Sequence, residues 1–288
     1  MAQYSDLFYT SHDGLTLYAR DYGHKNSART VICLPGLTRN SADFEELCAE
    51  LADDFRLLAV DLRGRGRSAY DPNPLNYHPG TYVRDIDTLC RREALDSASF
   101  IGTSLGGLVS MMLADERPEF VERIVLNDIG PELDPAGVDR IRRYVSASTA
   151  PADWNEATAL TRELHGAVLP NLSDDEWRMF TKRLYRAEAG GAPTLNYDEH
   201  IADLFSAAAE PATEAQRSAM WDLYSRLKNI PIFALRGEFS DILSARTLAE
   251  MGKCNAHFQT LEVPKRGHAP LLDEPGVMPA IRKFLEGV

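Results

Sequence analysis

A serine flanked by two glycines lies between an apolar run of strand length and a helical pattern. Residues 102–106 have the pattern G-x-S-x-G with Ser104 at the centre, after the run 98–103 and before a helix predicted at 104–117. A serine in such a tight turn is exposed on a strained backbone, and the glycines remove side chains that would collide there. Backbone amides at the helix start face the same place and stabilise an anion. The arrangement predicts a nucleophile rather than a buried serine in a packing turn.

A serine nucleophile needs a base, because a neutral hydroxyl is a poor nucleophile. The chain contains seven histidines. Six of them lie in the N-terminal hairpin region, in a loop before a proline, in the middle of the chain or at the start of a predicted strand. His268 differs, since it lies in a glycine-rich loop after the last predicted strand, 257–263.

The elements that position the serine alternate between strands and helices. An Asp-Gly turn joins the alternating runs 5–11 and 14–22, which predicts a β-hairpin. Continuous apolar runs then alternate with helical spacing, as expected for a parallel sheet that is covered on both faces. The predicted elements that follow the hairpin are strands 30–34, 55–60, 98–103 and 121–127 and helices 41–52, 79–96 and 104–117.

The alternation of predicted strands and helices stops after residue 130 and resumes near residue 231. The intervening part has helical spacing and no confident strand, and an α/β body therefore brackets a helical insertion. All three tryptophans, 154, 177 and 221, fall in this insertion, where they either pack its own core or line a ligand pocket beneath it. The predicted elements are helices 135–147, 153–168, 173–188 and 213–228 in the insertion, then strands 231–235 and 257–263 and helices 244–252 and 276–287.

Taken together, the motifs of this chain resemble those of the α/β-hydrolase family, and the resemblance spans nearly the whole chain. Besides the serine turn, the motifs are L-P-G-L at 34–37, D-L-R-G-R-G-R-S at 61–68, R-G-E-F-S-D at 236–241 and G-H at 267–268. The resemblance implies a mostly parallel eight-stranded sheet with helices on both faces. It divides the chain into a core, residues 1–130 and 229–288, and an inserted helical cap, residues 131–228.

The resemblance also implies roles for particular residues. The family places its base where His268 lies, and its acid, which orients the base, where Asp241 lies. The chain order Ser, Asp, His matches, although Asp128, just past the strand 121–127, is an alternative position of the acid in this fold class. The family's oxyanion donors correspond to the backbone amides of Leu37 and Leu105.

The arginine-glycine loop at 63–67 does not indicate a dinucleotide site, because that fingerprint needs a third glycine at the start of a helix. Position 69 is alanine, and prolines follow at 72 and 74. We interpret the loop as a structural turn in which Arg63 enters a buried hydrogen-bond network. Since the chain has no H-E-x-x-H or EF-hand pattern, we expect no metal and no organic cofactor.

Charge and composition limit the partners. The chain has 31 basic and 43 acidic residues, a net charge of −12, which disfavours nucleic acid and anionic membranes. The N-terminus lacks a signal-peptide pattern, and no apolar stretch approaches a membrane-spanning length. The four cysteines contain no C-x-x-C pair. We expect a cytoplasmic monomer or homodimer that acts on a small molecule.

The favoured function is hydrolysis of a small, mostly apolar carboxylic ester through an acyl-enzyme. Relatives with the same residues act on lactones or on C–C bonds of products of aromatic-ring degradation, and both remain alternatives. A different class is a ligand receptor with the same fold, in which the helical insertion closes over a small molecule. A receptor would give no burst of p-nitrophenol from p-nitrophenyl acetate, which separates the two classes.

Overall fold

The computed structural model describes residues 3–25, 27, 29–146, 150–187, 191–207 and 212–288. The predicted helix ends at 147 and 188 lie outside these residues. The strands are β1 Tyr4–Thr10, β2 Thr16–Tyr22, β3 Thr30–Leu34, β4 Arg56–Asp61, β5 Ala98–Thr103, β6 Val121–Asn127, β7 Tyr185–Ala187, β8 Pro193–Leu195, β9 Ile232–Gly237 and β10 Phe258–Val263.

Helices follow most of these strands, and single 3₁₀ turns occupy Ser41–Phe44 and Pro74–Asn76. The α-helices are α1 Glu45–Leu51, α2 Pro79–Arg92, α3 Leu105–Glu116, α4 Pro135–Ser146, α5 Trp154–His165, α6 Asp174–Leu184, α7 His200–Ala207, α8 Glu214–Arg226, α9 Ala245–Cys254 and α10 Val277–Glu286. Across the described residues, none of the helices combines the length and the apolar character that crossing a membrane would require.

Eight strands form one sheet in the order β1-β2-β4-β3-β5-β6-β9-β10. The N-terminal hairpin β1–β2 is antiparallel and pairs antiparallel with β4, and the other neighbouring pairs are parallel. The carboxyl ends of the parallel strands therefore meet at one edge, where loops can bring distant residues together. The predicted fold class, a mostly parallel eight-stranded sheet, is confirmed.

Both faces of the sheet are buried, which explains the continuous apolar runs. In β3, Ile32 and Leu34 pack into one core with α2 and α3, while Val31 and Cys33 pack into a second core with α1 and α10. Alternate residues of a strand point to opposite faces, so a strand covered on both sides is mostly apolar along its length. All five residues of β3 are buried.

The insertion between β6 and β9 is less purely helical than predicted. Helix α6 ends at Leu184, and β7 and β8 form a small antiparallel hairpin where the sequence shows no strand. Helix α7 was also not predicted. The hairpin strands have three residues each, too short for a periodic pattern to reveal them. The insertion has a small apolar core of its own, which includes Trp177 and Phe180.

The last helix of the predicted insertion packs on the body. Helix α8 contacts α3 and α9. Its Tyr224 is fully buried in the core shared with α3, and the Tyr224 hydroxyl donates to the carbonyl of Met251 at 3.4 Å. Helix α8, within the predicted insertion 131–228, therefore packs against helices of the body.

The arginine-glycine loop is the structural turn that the sequence predicts. Arg63 is fully buried and donates to the carboxylates of Asp13, Asp71 and Asp85 at 2.5–3.1 Å. Gly66 has φ 56°, and a Cβ there would lie 2.1 Å from a carboxylate oxygen of Asp61. The loop therefore depends on buried, paired charges and on a residue without a side chain.

Candidate active site

Ser104 lies at the sharp turn between β5 and α3. Its backbone has φ 52° and ψ −114°, a combination that non-glycine residues rarely adopt and that is concentrated at functional sites. A Cβ on Gly106 would lie 2.0 Å from the carbonyl oxygen of Leu34, and a Cβ on Gly102 would lie 2.4 Å from the amide nitrogen of Gly107. Both positions therefore require glycine, and the turn forms as the spacing predicts.

The two ring nitrogens of His268 connect this serine to an aspartate. Nε2 lies 2.8 Å from Ser104 Oγ, and Nδ1 lies 2.8 Å from Asp128 Oδ2. The His268 side chain is 7% exposed and that of Asp128 is fully buried. Because an ionised carboxylate only accepts hydrogen bonds, it holds the proton on Nδ1 and leaves Nε2 free to accept from the serine hydroxyl.

Asp128 follows β6 directly and is held through both carboxylate oxygens. Its Oδ1 accepts from the amide of Gly237 at 2.9 Å, and its Oδ2 accepts from the Ser240 hydroxyl at 2.6 Å. The Asp128 amide donates to the carbonyl of Leu235 at 2.9 Å. These bonds join the ends of β6 and β9 and offset the cost of burying a carboxylate.

Asp241, which the sequence favours as the acid, makes no hydrogen bond to His268. Both of its oxygens accept instead from Arg140 on α4, at 2.6 and 2.8 Å. Burial alone would raise the pKa of Asp241, but the hydrogen bonds from Arg140 hold that pKa below its ordinary value. The carboxylate that is bonded to the histidine is Asp128, which the sequence offers as the alternative position of the acid, and the side chain of the loop after β9 that reaches Asp128 is Ser240.

The amides of Leu37 and Leu105 remain free to donate. Both residues line the same cavity as the serine, and within the described residues neither amide donates to a protein acceptor. The loop that carries Leu37 is held by the fully buried Arg65, whose Nε donates to the Leu37 carbonyl at 2.8 Å and whose Nη1 donates to the Tyr82 hydroxyl at 2.9 Å. The arginine-glycine loop thus supports this part of the site, which the sequence did not reveal.

Asn127 is a second residue that the sequence analysis missed. Its side-chain amide donates to the Thr103 hydroxyl at 3.1 Å and to the carbonyl of Pro270 at 2.9 Å, and its backbone carbonyl accepts from the Ser104 amide at 3.1 Å. It therefore ties the serine turn to the loop that carries His268. A polar residue at the end of an apolar strand is the signal that could have identified it.

A cavity of about 550 Å³ opens beside Ser104 and His268. This volume is typical of small-molecule sites. Its wall is mostly aliphatic and aromatic, and both the body and the insertion contribute, for example through Leu108, Ile129, Val138, Ile141 and Phe180. The three tryptophans are not among the lining residues. Trp177 packs edge to face on Phe180 in the core of the insertion.

Arginines 39, 140 and 183 also line the cavity. Arg39 donates from Nε and Nη2 to Asp43 at 2.7 and 2.5 Å, and its Cζ lies 4.1 Å from the centre of the Phe180 ring. Burial, followed by the charges of Arg39 and Arg140, lowers the pKa of His165 to about 3. His165 is therefore neutral at pH 7, and the mostly apolar cavity wall also contains three arginines, each paired with a carboxylate.

The chain belongs to the α/β-hydrolase family. The model of the alpha/beta hydrolase family matches residues 31–278. A solved structure with a similar fold is an alpha/beta hydrolase from Novosphingobium aromaticivorans, which is 41% identical, has a TM-score of 0.92 and aligns over 100% of both chains. The sequence resemblance to this family is thereby confirmed.

Two curated relatives have named activities. The chain is 30% identical over 270 residues to the 3-hydroxybutyrate-oligomer hydrolase of Cupriavidus necator. The alignment covers 93% of this chain and 92% of that protein. It is 30% identical over 275 residues to the 2-(acetamidomethylene)succinate hydrolase of Mesorhizobium japonicum, and this alignment covers 94% of the chain and 92% of that protein. The family and these relatives support hydrolase activity for this chain in general terms.

Proposed function

We propose that this protein is a serine hydrolase of small carboxylic esters that works through an acyl-enzyme. The observation that carries the proposal is the continuous hydrogen-bonded chain from Ser104 through His268 to Asp128 beside a mostly apolar cavity. The named activity of one relative favours an ester, because oligomers of a hydroxy acid are joined by ester bonds.

In the proposed reaction, Ser104 attacks the ester carbonyl while His268 Nε2 takes the hydroxyl proton. Asp128 stabilises the imidazolium that forms, and the amides of Leu37 and Leu105 donate to the developing oxyanion. His268 then protonates the leaving alcohol. Water attacks the acyl-enzyme by the same route, with His268 as the base, and releases the acid and the free serine.

We also propose that the insertion is a cap that shapes the substrate pocket. Side chains from α4, α6 and α7 line the cavity, among them Val138, Phe180 and Ile201. An apolar wall favours substrates that bury apolar surface, at about 25 cal/mol per Å². The cap therefore selects the acyl or alcohol part of the substrate, while the body supplies the reacting groups.

A burst experiment tests the proposed function. Wild-type protein mixed with p-nitrophenyl acetate should release one equivalent of p-nitrophenol per chain before the steady state. Ser104→Ala should show no burst and a rate at least about a thousandfold lower. Ser110→Ala is the matched control, because Ser110 is a buried serine of α3 whose hydroxyl donates to the Gly106 carbonyl. A full burst from Ser104→Ala would refute the proposal.

A further inference from the structure

Two arginines in the cavity wall share one arrangement. Arg39 donates through Nε and Nη2 to Asp43, and Arg140 donates through Nε and Nη2 to Asp241, at 2.5–2.8 Å. In each arginine the remaining nitrogen, Nη1, makes no hydrogen bond to any residue that the structure describes, and Nη1 of Arg39 is buried. A buried N–H group without an acceptor raises the free energy of the folded protein, because it has lost its hydrogen bond to water. A ligand that supplies an acceptor restores a hydrogen bond and so binds more tightly.

The aspartates fix the direction of each guanidinium. A two-point bond between guanidinium and carboxylate locks the plane of the arginine, and it occupies only one edge of the fork. The opposite edge of Arg39 and of Arg140 thus keeps its N–H groups. A carboxylate or phosphate prefers such fixed, paired donors to a flexible ammonium group.

Arg39 is close to the nucleophile. A Cβ placed on Gly36 would lie 3.5 Å from Arg39 Cγ and 3.9 Å from Ser104 Cβ. The side chain of Arg39 is 13% exposed and that of Arg140 is 16% exposed, and both line the cavity that contains Ser104 and His268. A small substrate that reaches the serine can therefore also reach this part of the wall.

The guanidinium groups of Arg39 and Arg140 lie near one cluster of rings, formed by Tyr144, His165 and Phe180. The His165 ring lies 5.0 Å from the ring of Tyr144 and 5.4 Å from that of Phe180, on which Arg39 is stacked. Arg140 lies one turn before Tyr144 on α4. The low pKa of His165, caused by burial and then by both arginines, agrees with a position between the two cations.

We propose that Arg39, in the loop after β3, and Arg140, on α4, form a carboxylate-binding subsite in the cavity wall, through the guanidinium edges that face away from Asp43 and Asp241. The proposal rests on the proposed function, and it narrows the substrate to small esters that carry a free carboxylate some atoms away from the ester carbonyl. The apolar wall then contacts the carbon chain between the two ends. Binding the far end of the substrate in this way orients the ester at Ser104.

Two esters of equal length test the subsite. Monomethyl glutarate carries a carboxylate, whereas dimethyl glutarate carries a neutral ester at the same place, and methanol release gives kcat/KM for each. Wild-type protein should prefer the anionic ester by about tenfold or more, as for charge-assisted hydrogen bonds. Equal rates, or a preference for the diester, would overturn the subsite and leave the hydrolase proposal intact.

Paired substitutions assign the preference to the arginines. Removing an arginine alone would leave an unpaired aspartate that repels the substrate, so each pair is neutralised as Arg39→Gln/Asp43→Asn or Arg140→Gln/Asp241→Asn. Each should lower the ratio of the two kcat/KM values by about tenfold. The matched control is Arg226→Gln/Asp115→Asn. This pair also has two hydrogen bonds between guanidinium and carboxylate, at 2.6 and 2.7 Å, but it lies outside the cavity. The control should leave the ratio of the two kcat/KM values unchanged.

A binding measurement keeps the proposal testable if a variant fails to fold or neither ester is hydrolysed. Glutarate should raise the melting temperature of the wild type and inhibit p-nitrophenyl acetate hydrolysis competitively, whereas dimethyl glutarate should raise it less. Stabilisation by glutarate without any turnover would refute the hydrolase proposal and keep the subsite. No stabilisation and no inhibition by glutarate would refute the subsite.

Discussion

Replacing Asp128 by asparagine should change which nitrogen of His268 carries the proton. Asp128 Oδ1 accepts from the backbone amide of Gly237, which cannot become an acceptor, so the asparagine oxygen must take this place. The side-chain NH₂ then takes the place of Oδ2, 2.8 Å from His268 Nδ1. Facing a donor, the imidazole moves its proton to Nε2. In that tautomer Nε2 no longer accepts the proton of Ser104.

The expected loss follows from this change of tautomer. We expect kcat to fall by about 10⁴-fold, the effect of the same change in a well-studied serine protease, which corresponds to about 5 kcal/mol of transition-state stabilisation. The Ser240 hydroxyl, which donates to Asp128 Oδ2, already accepts from the amides of Ile242 and Leu243, so it has no lone pair left for the new NH₂ and its bond to residue 128 is lost. The side chain keeps its size, so the protein should stay folded, with a stability loss of about 1–3 kcal/mol.

The matched variant is Asp241→Asn, because Asp241 was the acid that the sequence favoured. Its carboxylate bonds to Arg140 and not to His268, so we expect less than a tenfold loss with p-nitrophenyl acetate. Steady-state rates for both variants, with circular dichroism to verify folding, decide the matter. If Asp241→Asn is the more damaged enzyme, or if Asp128→Asn keeps a tenth of the wild-type kcat, the assignment of Asp128 is wrong.

Two further substitutions test the elements around the serine. Arg65→Lys removes the guanidinium that holds the Leu37 carbonyl. It should lower kcat by about tenfold or more with a smaller change in KM, because the amide of Leu37 would act in the transition state. An unchanged kcat would contradict that role. Gly106→Ala places a Cβ 2.0 Å from the Leu34 carbonyl oxygen, and it should lower the free energy of unfolding by about 2 kcal/mol or more in a denaturant titration. A variant as stable as the wild type would show that the turn can relax.

Much of the body could be predicted because its signals are local. The runs at 98–103 and 121–127 coincide with β5 and β6, since strands that are largely buried on both faces are mostly apolar. The hairpin β7–β8 and helix α7 could not be predicted. They lie in the insertion, where three-residue strands carry no periodic pattern and tertiary contacts decide the structure.

The choice between Asp128 and Asp241 as the partner of His268 could not be made from local sequence patterns. Strands β6 and β9 are parallel neighbours, so the loops that carry Asp128 and Asp241 open at the same edge of the sheet, near His268. Sequence order and spacing allow either carboxylate to reach the histidine. The choice depends on two contacts between distant residues: the Ser240 hydroxyl bonds to Asp128, and Arg140, 101 positions before Asp241, binds both oxygens of that carboxylate.

The pairing of Asp241 with Arg140 also connects the insertion to the proposed active site. A fully buried acid bound by two donors of the body can stabilise an imidazolium without help from the insertion. Asp241 is thereby available as the counter-ion that holds Arg140, a residue of the insertion, against the cavity. Had Asp241 been the acid, Arg140 would have competed with His268 for the same carboxylate and would have weakened its support of the protonated ring. In the proposed mechanism, an acid that follows β6 therefore separates the carboxylate that supports catalysis from the carboxylate that holds the proposed substrate-binding cation.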